Sequence, residues 1–204
     1  REHGVLVCTA GGANAISVAE LTIFYMLYCS RNFKKVQNLY LQDYRQAKMG
    51  VPKTELEGKT LGLVGLGNIG KLVAQKAALG FDMTVLAYDP FAKGAGLPDY
   101  IRMVEDRDEI FKRSDYVSLH VPATTETVHS VSDREFGLMK PTAYLINAAR
   151  GSIVDEAALY RALQEEKIAG AGLDVLEQEP IDPSNPLVAM DNVKSEAKRS
   201  RKTM

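Results

Sequence analysis

Apolar positions along this chain alternate between two periods, and each change of period marks an element. Leu61, Leu63 and Val64 form a short apolar run that stops at Gly65, and the pattern turns helical from Lys71 to Leu79. Met83-Thr84-Val85-Leu86-Ala87-Tyr88 reads as a second strand that ends at Asp89. Tyr100 to Met103 is a weaker third strand, Asp108 to Arg113 a helix, and Asp115-Tyr116-Val117-Ser118-Leu119-His120 a fourth strand that stops before Pro122. Ser132-Asp133-Arg134-Glu135 has the form of a capping box ahead of a short helix that ends before Pro141. Ala143 to Asn147 is a fifth strand, Asp155 caps a helix through Glu165, and Ala169 to Val175 is a sixth strand. Strands that alternate with helices predict an α/β fold: a doubly wound parallel sheet with helices on both faces, joined by right-handed crossovers.

The N-terminal part follows a different plan. Val5-Leu6-Val7-Cys8 is a strand candidate, followed by a turn at Gly11-Gly12. Ser17-Val18-Ala19-Glu20 reads as a capping box at the head of a long helix that runs to about Asn32 and resumes from Gln37 to Lys48. Its first half is apolar nearly all round (Ile23, Phe24, Met26, Leu27, Tyr28), so it needs cover on both sides. A neighbouring domain, a partner subunit or the core of its own subunit would each supply that cover. Residues 194–204 are basic and polar and do not continue the strand–helix pattern, so they are expected to form an irregular tail after a domain of residues 1–193.

Composition narrows the class only modestly. The chain has 204 residues, 46% of them apolar and 25% charged, which suits one generous domain with its own core. A net charge of −1 gives no electrostatic reason to expect nucleic acid or a membrane surface as a partner. The most apolar stretch, Leu21 to Cys29, is too short to span a bilayer. Cys8 and Cys29 are isolated, outside any metal-ligand spacing and too few for a disulfide framework, so no metal is expected and a reducing, cytoplasmic setting is. The chain opens on Arg1 rather than Met, which implies that the natural N-terminus lies outside it.

Candidate chemistry concentrates where the strands end. The run Gly65-x-Gly67-x-x-Gly70 sits between a strand and a helix. Gly65 permits a tight turn, Gly67 lets a pyrophosphate approach the backbone, and Gly70 lets helix and strand pack closely, with the helix N-terminus facing the phosphates. Asp89 follows about twenty residues later, where a carboxylate accepts from a ribose diol and repels a 2′-phosphate. That arrangement points to NAD rather than NADP. In an open parallel sheet, ligands lie outside the carboxyl ends of the strands, which also selects His120, Val121, Pro122, Ala148, Ala149, Arg150 and Asp174. Arg150 has small neighbours and a planar cationic fork suited to a carboxylate, or it forms a structural ion pair with Asp155 or Glu156. Asp174 either accepts from a carboxamide nitrogen or caps a loop. His120, at a strand end before a Val-Pro turn, suits a hydrogen-bonded scaffold role better than general base catalysis. His129 and His3 stand in no motif.

Several ordered motifs together resemble the cofactor-binding domain of the D-isomer-specific 2-hydroxyacid dehydrogenases, the family of phosphoglycerate, lactate, glycerate and hydroxypyruvate enzymes. They are Asn14-Ala15-Ile16-Ser17-Val18-Ala19-Glu20, the glycine run with Asp89, Leu119-His120-Val121-Pro122-Ala123-Thr124-Thr125-Glu126-Thr127, Asn147-Ala148-Ala149-Arg150-Gly151-Ser152-Ile153-Val154-Asp155, and Gly172-Leu173-Asp174-Val175-Leu176-Glu177-Gln178-Glu179-Pro180. The resemblance spans residues 4–193 and implies a Rossmann-type fold. It implies that Arg150 holds the substrate carboxylate and keto oxygen, and that Glu179 pairs with a catalytic histidine and raises its pKa. Asn68 and Ile69 are implied at the pyrophosphate, Asp89 at the ribose, and Val121, Ala148 and Asp174 as further NAD contacts. The implied reaction is hydride transfer between nicotinamide and C2 of a small 2-hydroxy or 2-keto acid, with a His–Glu pair moving the proton. Formate dehydrogenases of the superfamily carry an amide where this chain has Glu179. The resemblance also implies a homodimer, with the region around Ile16 to Cys29, Tyr40 and Tyr44 packed across a two-fold axis.

Two departures qualify these expectations. The family's catalytic domain is formed mainly by residues that would precede Arg1, so the N-terminal substrate domain is absent here. After Met190-Asp191-Asn192-Val193 the family continues into a Pro-His pair that supplies the general acid/base, whereas this chain passes to Lys194-Ser195-Glu196-Ala197-Lys198. A deletion, a frameshift or an omitted loop would each give this sequence. The 204-residue segment is therefore expected to bind NAD with little or no turnover. Two alternatives remain: a non-enzymatic NAD-sensing, corepressor-like protein on the same fold, and an NADP-dependent reductase, which Asp89 without an adjacent arginine argues against.

Overall fold

The computed structural model describes residues 12–92 and 96–195. The expected strand at Val5 to Cys8, Gly11, Cys8 and His3 lie outside the described residues, as do residues 196–204 of the expected tail. Two helices come first, α1 (Ala15–Ser30) and α2 (Phe33–Tyr40), followed by a π-helical turn at Gln46–Gly50. The alternating part then runs β1 (Thr60–Val64), α3 (Asn68–Phe81), β2 (Thr84–Tyr88), β3 (Ile101–Met103), α4 (Arg107–Arg113) and β4 (Tyr116–Leu119). It continues with α5 (Asp133–Leu138), β5 (Tyr144–Asn147), a 3₁₀ turn (Gly151–Ile153), α6 (Glu156–Gln164), β6 (Gly170–Leu173), α7 (Pro186–Ala189) and β7 (Val193–Ser195).

All neighbouring strands pair in parallel, in the order β3-β2-β1-β4-β5-β6-β7. The chain winds outward from β1 to β3, then crosses back to β4 and winds the other way. That reversal places a crevice beyond the C-terminal ends of β1 and β4. Strand alternation divides the core between the two faces. Leu61, Leu63, Val85, Ala87, Tyr116 and Ile146 pack with α1 and α3, while Val64, Leu86, Val117, Leu119 and Leu145 pack with α4, α5 and α6. The doubly wound α/β sheet with helices on both faces is thus the fold that the alternating periods predict.

Local signals locate the starts of α5 and α6. Glu135 Oε2 accepts from the Ser132 amide at 3.0 Å in the expected capping box, and Asp155 Oδ1 accepts from the Ala158 amide at 2.9 Å. Three expectations need correction. The long helix begins at Ala15, with Asn14 at the cap position, so Ser17 and Glu20 lie inside it; the Glu20 carboxylate turns outward to Lys76 on α3 at 3.3 Å. Helix resumes at Phe33 rather than Gln37, because Asn32 takes a left-handed conformation (φ 49°) and bonds the Pro52 carbonyl. Lys194 and Ser195 are not irregular: they pair with Gly172 and Leu173 as the end of an edge strand anchored by buried Val193. One apolar residue is too weak a signal for a strand, and a lysine suits an edge open to water.

The α1 and α2 segments also tie the two ends of the described chain together. Tyr25 is fully buried and donates to the Leu173 carbonyl at the end of β6. Lys34 Nζ donates to the Met190 carbonyl and Asn38 reaches Asp191 at 3.3 Å, so α2 holds the approach to β7.

Candidate active site

The turn out of β1 is shaped by what surrounds it. Gly65 adopts φ +98°, and a Cβ there would come within 2.5 Å of the His120 carbonyl oxygen. A Cβ on Gly70 would come within 2.4 Å of the Gly65 oxygen, so the two glycines let β1, β4 and α3 meet. Gly67 differs: it is exposed, and nothing lies within 4 Å of a Cβ placed on it. It stands at the cap position of α3 without any side-chain cap, which leaves first-turn N–H groups to a ligand. Asn68 is exposed and Ile69 half-buried on that same first turn. An open, uncapped helix N-terminus beside a tight glycine turn fits a dinucleotide pyrophosphate.

Asp89 follows β2 and lies across this turn. Its Oδ2 accepts from the Leu66 amide at 2.8 Å, and its Oδ1 from the Phe91 amide at 2.8 Å and the Ala92 amide at 3.2 Å. The carboxylate therefore braces the glycine turn, a second task that spacing alone does not disclose. A carboxylate offers about four lone-pair sites, so one remains for a ribose hydroxyl.

Beyond β4, His120 donates its amide to the Val64 carbonyl at 2.8 Å, and its Nε2 lies 2.9 Å from Ser118 Oγ. Burial pushes its imidazole down to about 4, so the ring is neutral at physiological pH. Val121 is half-buried against Gly65, and Pro122 is exposed, with its carbonyl accepting from Thr127 Oγ1 at 2.6 Å.

The exit of β5 is organised by Asn147, which sequence reasoning overlooked. This fully enclosed amide donates to the Arg150 carbonyl at 2.9 Å and accepts from the Ala149 amide at 3.1 Å. Its own carbonyl accepts from the Asp174 amide at 2.9 Å, which links the ends of β5 and β6. An uncharged polar residue at the end of an apolar strand was the available signal. Ala148 is buried, Ala149 half-buried and Arg150 exposed, with Nη1 on the Ala149 carbonyl at 2.7 Å. Asp155 caps α6 and Glu156 bonds elsewhere; among the described residues Arg150 forms no ion pair, so the structural-salt-bridge alternative is not what is seen.

The loop after β6 carries Glu179, which is exposed and precedes a cis bond to Pro180. The loop is anchored at its root. A Cβ on Gly151 would lie 2.0 Å from the Leu176 oxygen, so the Arg150 turn presses directly on this loop. Glu156 and Glu177 exchange backbone-to-carboxylate bonds at 2.9 and 2.6 Å, Asn185 Nδ2 donates to Glu156 Oε2 at 2.7 Å, and His129 Nε2 lies 3.1 Å from Glu177 Oε1. Because the strands are parallel, Gly65 to Gly70, Asp89, His120 to Pro122, Ala148 to Arg150 and Asp174 all follow strand ends along one edge of the sheet. Glu179 belongs to a loop leaving that edge. Among the described residues, no group of three or more His, Cys, Asp or Glu is arranged to hold a metal, and no helix is long and apolar enough to cross a membrane.

Residues 23–196 match the family described as "D-isomer specific 2-hydroxyacid dehydrogenase, NAD binding domain". The chain is 42% identical over 193 residues to a D-3-phosphoglycerate dehydrogenase of Methanocaldococcus jannaschii, covering 94% of this chain and 36% of that protein. It is 42% identical over 196 residues to a hydroxypyruvate reductase of Thermotoga maritima, covering 95% of this chain and 62% of that protein. The crystal structure of D-lactate dehydrogenase with NAD+ from Lactobacillus jensenii superposes with a TM-score of 0.84 at 31% identity, covering 96% of this chain and 62% of the other. The chain thus spans between about a third and two thirds of the length of these relatives. On this evidence it belongs to the D-isomer-specific 2-hydroxyacid dehydrogenase family, of which it carries the NAD-binding Rossmann domain.

Proposed function

We propose that this chain is the cofactor-binding part of an oxidoreductase that interconverts a small 2-hydroxy acid and its 2-keto acid. When bound, NAD supplies the hydride acceptor and donor. Backbone N–H groups at Asn68 and Ile69 hold the pyrophosphate, the remaining acceptor of Asp89 takes a ribose hydroxyl, and Val121, Pro122, Ala148, Ala149 and Asp174 line the rest of the groove. Arg150 orients the substrate through its carboxylate, and Glu179 pairs with a histidine that moves the proton. The observation that carries this reading is Arg150: an exposed guanidinium at the cofactor edge whose nearest sequence carboxylates, Asp155 and Glu156, are engaged elsewhere. Relatives named for phosphoglycerate, hydroxypyruvate and glyoxylate share a carboxylate beside the reacting carbon, which suits such a group. A protein that only sensed NAD would have no use for Arg150 and Glu179 together.

The 204-residue chain alone is proposed to bind NAD with little or no turnover. His120 is neutral and bonded to Ser118, and His129 is held at Glu177, so neither described histidine is available as the acid/base. Losing a positioned acid/base costs about 10²–10⁴-fold in rate. NADH fluorescence titration combined with a panel of 2-keto acids tests this: binding without NADH oxidation is expected, and turnover contradicts it.

A homodimer is the proposed assembly. Ile16, Phe24, Phe33, Tyr40, Leu41, Tyr44 and Met49 are all exposed along the α1–α2 arm, an apolar surface unusual for a monomer. Sedimentation at micromolar concentration should give twice the chain mass; a monomeric mass argues against it. A reducing, cytoplasmic setting is proposed, and the buried free thiol of Cys29 accords with it.

A further inference from the structure

Ser118 is an anomaly in the sheet. It is fully buried on β4, and its register neighbours are Leu63 on β1 and Ile146 on β5, both part of the apolar layer beneath α1 and α3. A hydroxyl placed there needs a partner, because an unpaired one is costly. The partner is the His120 ring, two residues on and therefore on the same face, with Nε2 at 2.9 Å. The tether ties the imidazole to the Ser118 hydroxyl on the sheet face that packs beneath α1 and α3.

The backbone of His120 is what the glycine turn rests on. Its amide donates to the Val64 carbonyl, its own carbonyl occupies the space a Gly65 side chain would fill, and its Cβ lies 3.8 Å from where a Gly70 Cβ would be. Rotation of the His120 backbone would therefore move the floor beneath Gly65 and Gly70. We propose that His120 is a positioning residue for the dinucleotide: its bond to Ser118 locks the β4 exit, and that exit sets the height of the glycine turn over the N-terminus of α3. The ring acts through geometry, since a neutral imidazole brings no charge to the phosphates. This rests on the dinucleotide being held at Gly65–Gly70.

The chemistry of amide side chains supplies the test. Glutamine carries its amide at the ε position, where it reaches Ser118 Oγ as donor or acceptor, so it serves whichever tautomer the histidine uses. Asparagine has the same polarity but stops one carbon short. NADH titrations of the 204-residue chain should give His120→Gln a Kd within about threefold of the parent, and His120→Asn and His120→Ala a Kd raised about tenfold. Ser118→Ala should also weaken binding, and the Ser118→Ala/His120→Asn double variant should be no weaker than His120→Asn alone. Thermal melting confirms that each variant is folded; should His120→Ala not fold, the Gln/Asn pair and the Ser118 cycle decide. Equal affinities for the Gln and Asn variants overturn the proposal, as does additivity in the Ser118 cycle. Gly65→Ala separates the two ideas. If it abolishes NADH binding while every His120 variant binds like the parent, only the positioning role falls; if it binds normally, the glycine-turn reading falls as well.

Discussion

Glu156 and Glu177 hold each other: the amide of each donates to the other's carboxylate, at 2.9 and 2.6 Å. Two carboxylates side by side would ordinarily repel. Here each is directed at a backbone N–H, and Asn185 and His129 supply two more partners. The pair joins the first turn of α6, just after the Arg150 turn, to the root of the loop that carries Glu179. The residues proposed for substrate orientation and for the proton relay are therefore set relative to one another by a small polar clamp.

Removing the clamp should loosen that loop. Glu156→Ala deletes the acceptors of the Glu177 amide and of Asn185 Nδ2. A loss of about 1–2 kcal/mol in unfolding free energy is expected, with faster amide exchange confined to residues 176–185. Hydrogen-exchange mass spectrometry reads this directly, and an unchanged exchange pattern would show that the loop is held by something else.

Acidification should destabilise the fold through His120. Burial lowers its pKa from 6.5 to about 4, so the unfolded chain takes up a proton that the folded chain refuses. Stability is therefore lost as pH falls from about 6.5 towards 4, by at most about 3 kcal/mol. Urea unfolding of the parent and of His120→Gln at pH 7 and pH 4.5 isolates this contribution, because other groups cancel in the comparison. The variant should lose less stability between the two pH values; parallel losses would mean that the ring is readily protonated in place.

Cofactor preference should not switch by removing one charge. Asp89→Ala relieves repulsion of a 2′-phosphate but also deletes the brace on the Leu66 amide. NADH affinity is expected to fall at least about tenfold, while NADPH remains a poor ligand because the turn itself is loosened. Titrating both nucleotides checks this. NADPH binding as tight as parental NADH would show that Asp89 acts through charge alone.

What the sequence disclosed, and what it withheld, follows from the range of the forces involved. The succession of β1 to β6 along the chain was legible because burial on a parallel sheet imposes local apolar runs. The glycine turn was legible because Gly65 takes a positive φ there and Gly70 meets the Gly65 carbonyl one turn on; the press of His120 on Gly65 comes from another strand and was not. Start and end signals were weaker. Ser17 and Glu20 have a capping pattern, yet Glu20 is drawn to Lys76 on another helix. Only Val193 marks β7, whose backbone pairing with β6 is independent of side-chain pattern. In the site, the strand-end rule placed Asp89, Arg150 and Asp174 along one edge. It could not disclose Asn147, the Glu156–Glu177 clamp or the brace by Asp89, since each depends on partners brought together by the finished fold.

Where NADH contacts this chain is the measurement that tests the account most directly. Amide chemical-shift mapping by NMR should show perturbations on NADH addition at Gly65 to Gly70, Asp89, His120 and Val121, Ala148 to Arg150 and Asp174. The opposite edge of the sheet, where a cavity of about 480 Å³ is lined by Leu27, Arg31, Thr54, Leu56 and Phe81, should stay silent. Shifts confined to that opposite edge, with the glycine turn unmoved, would contradict the reading on which the proposed function depends.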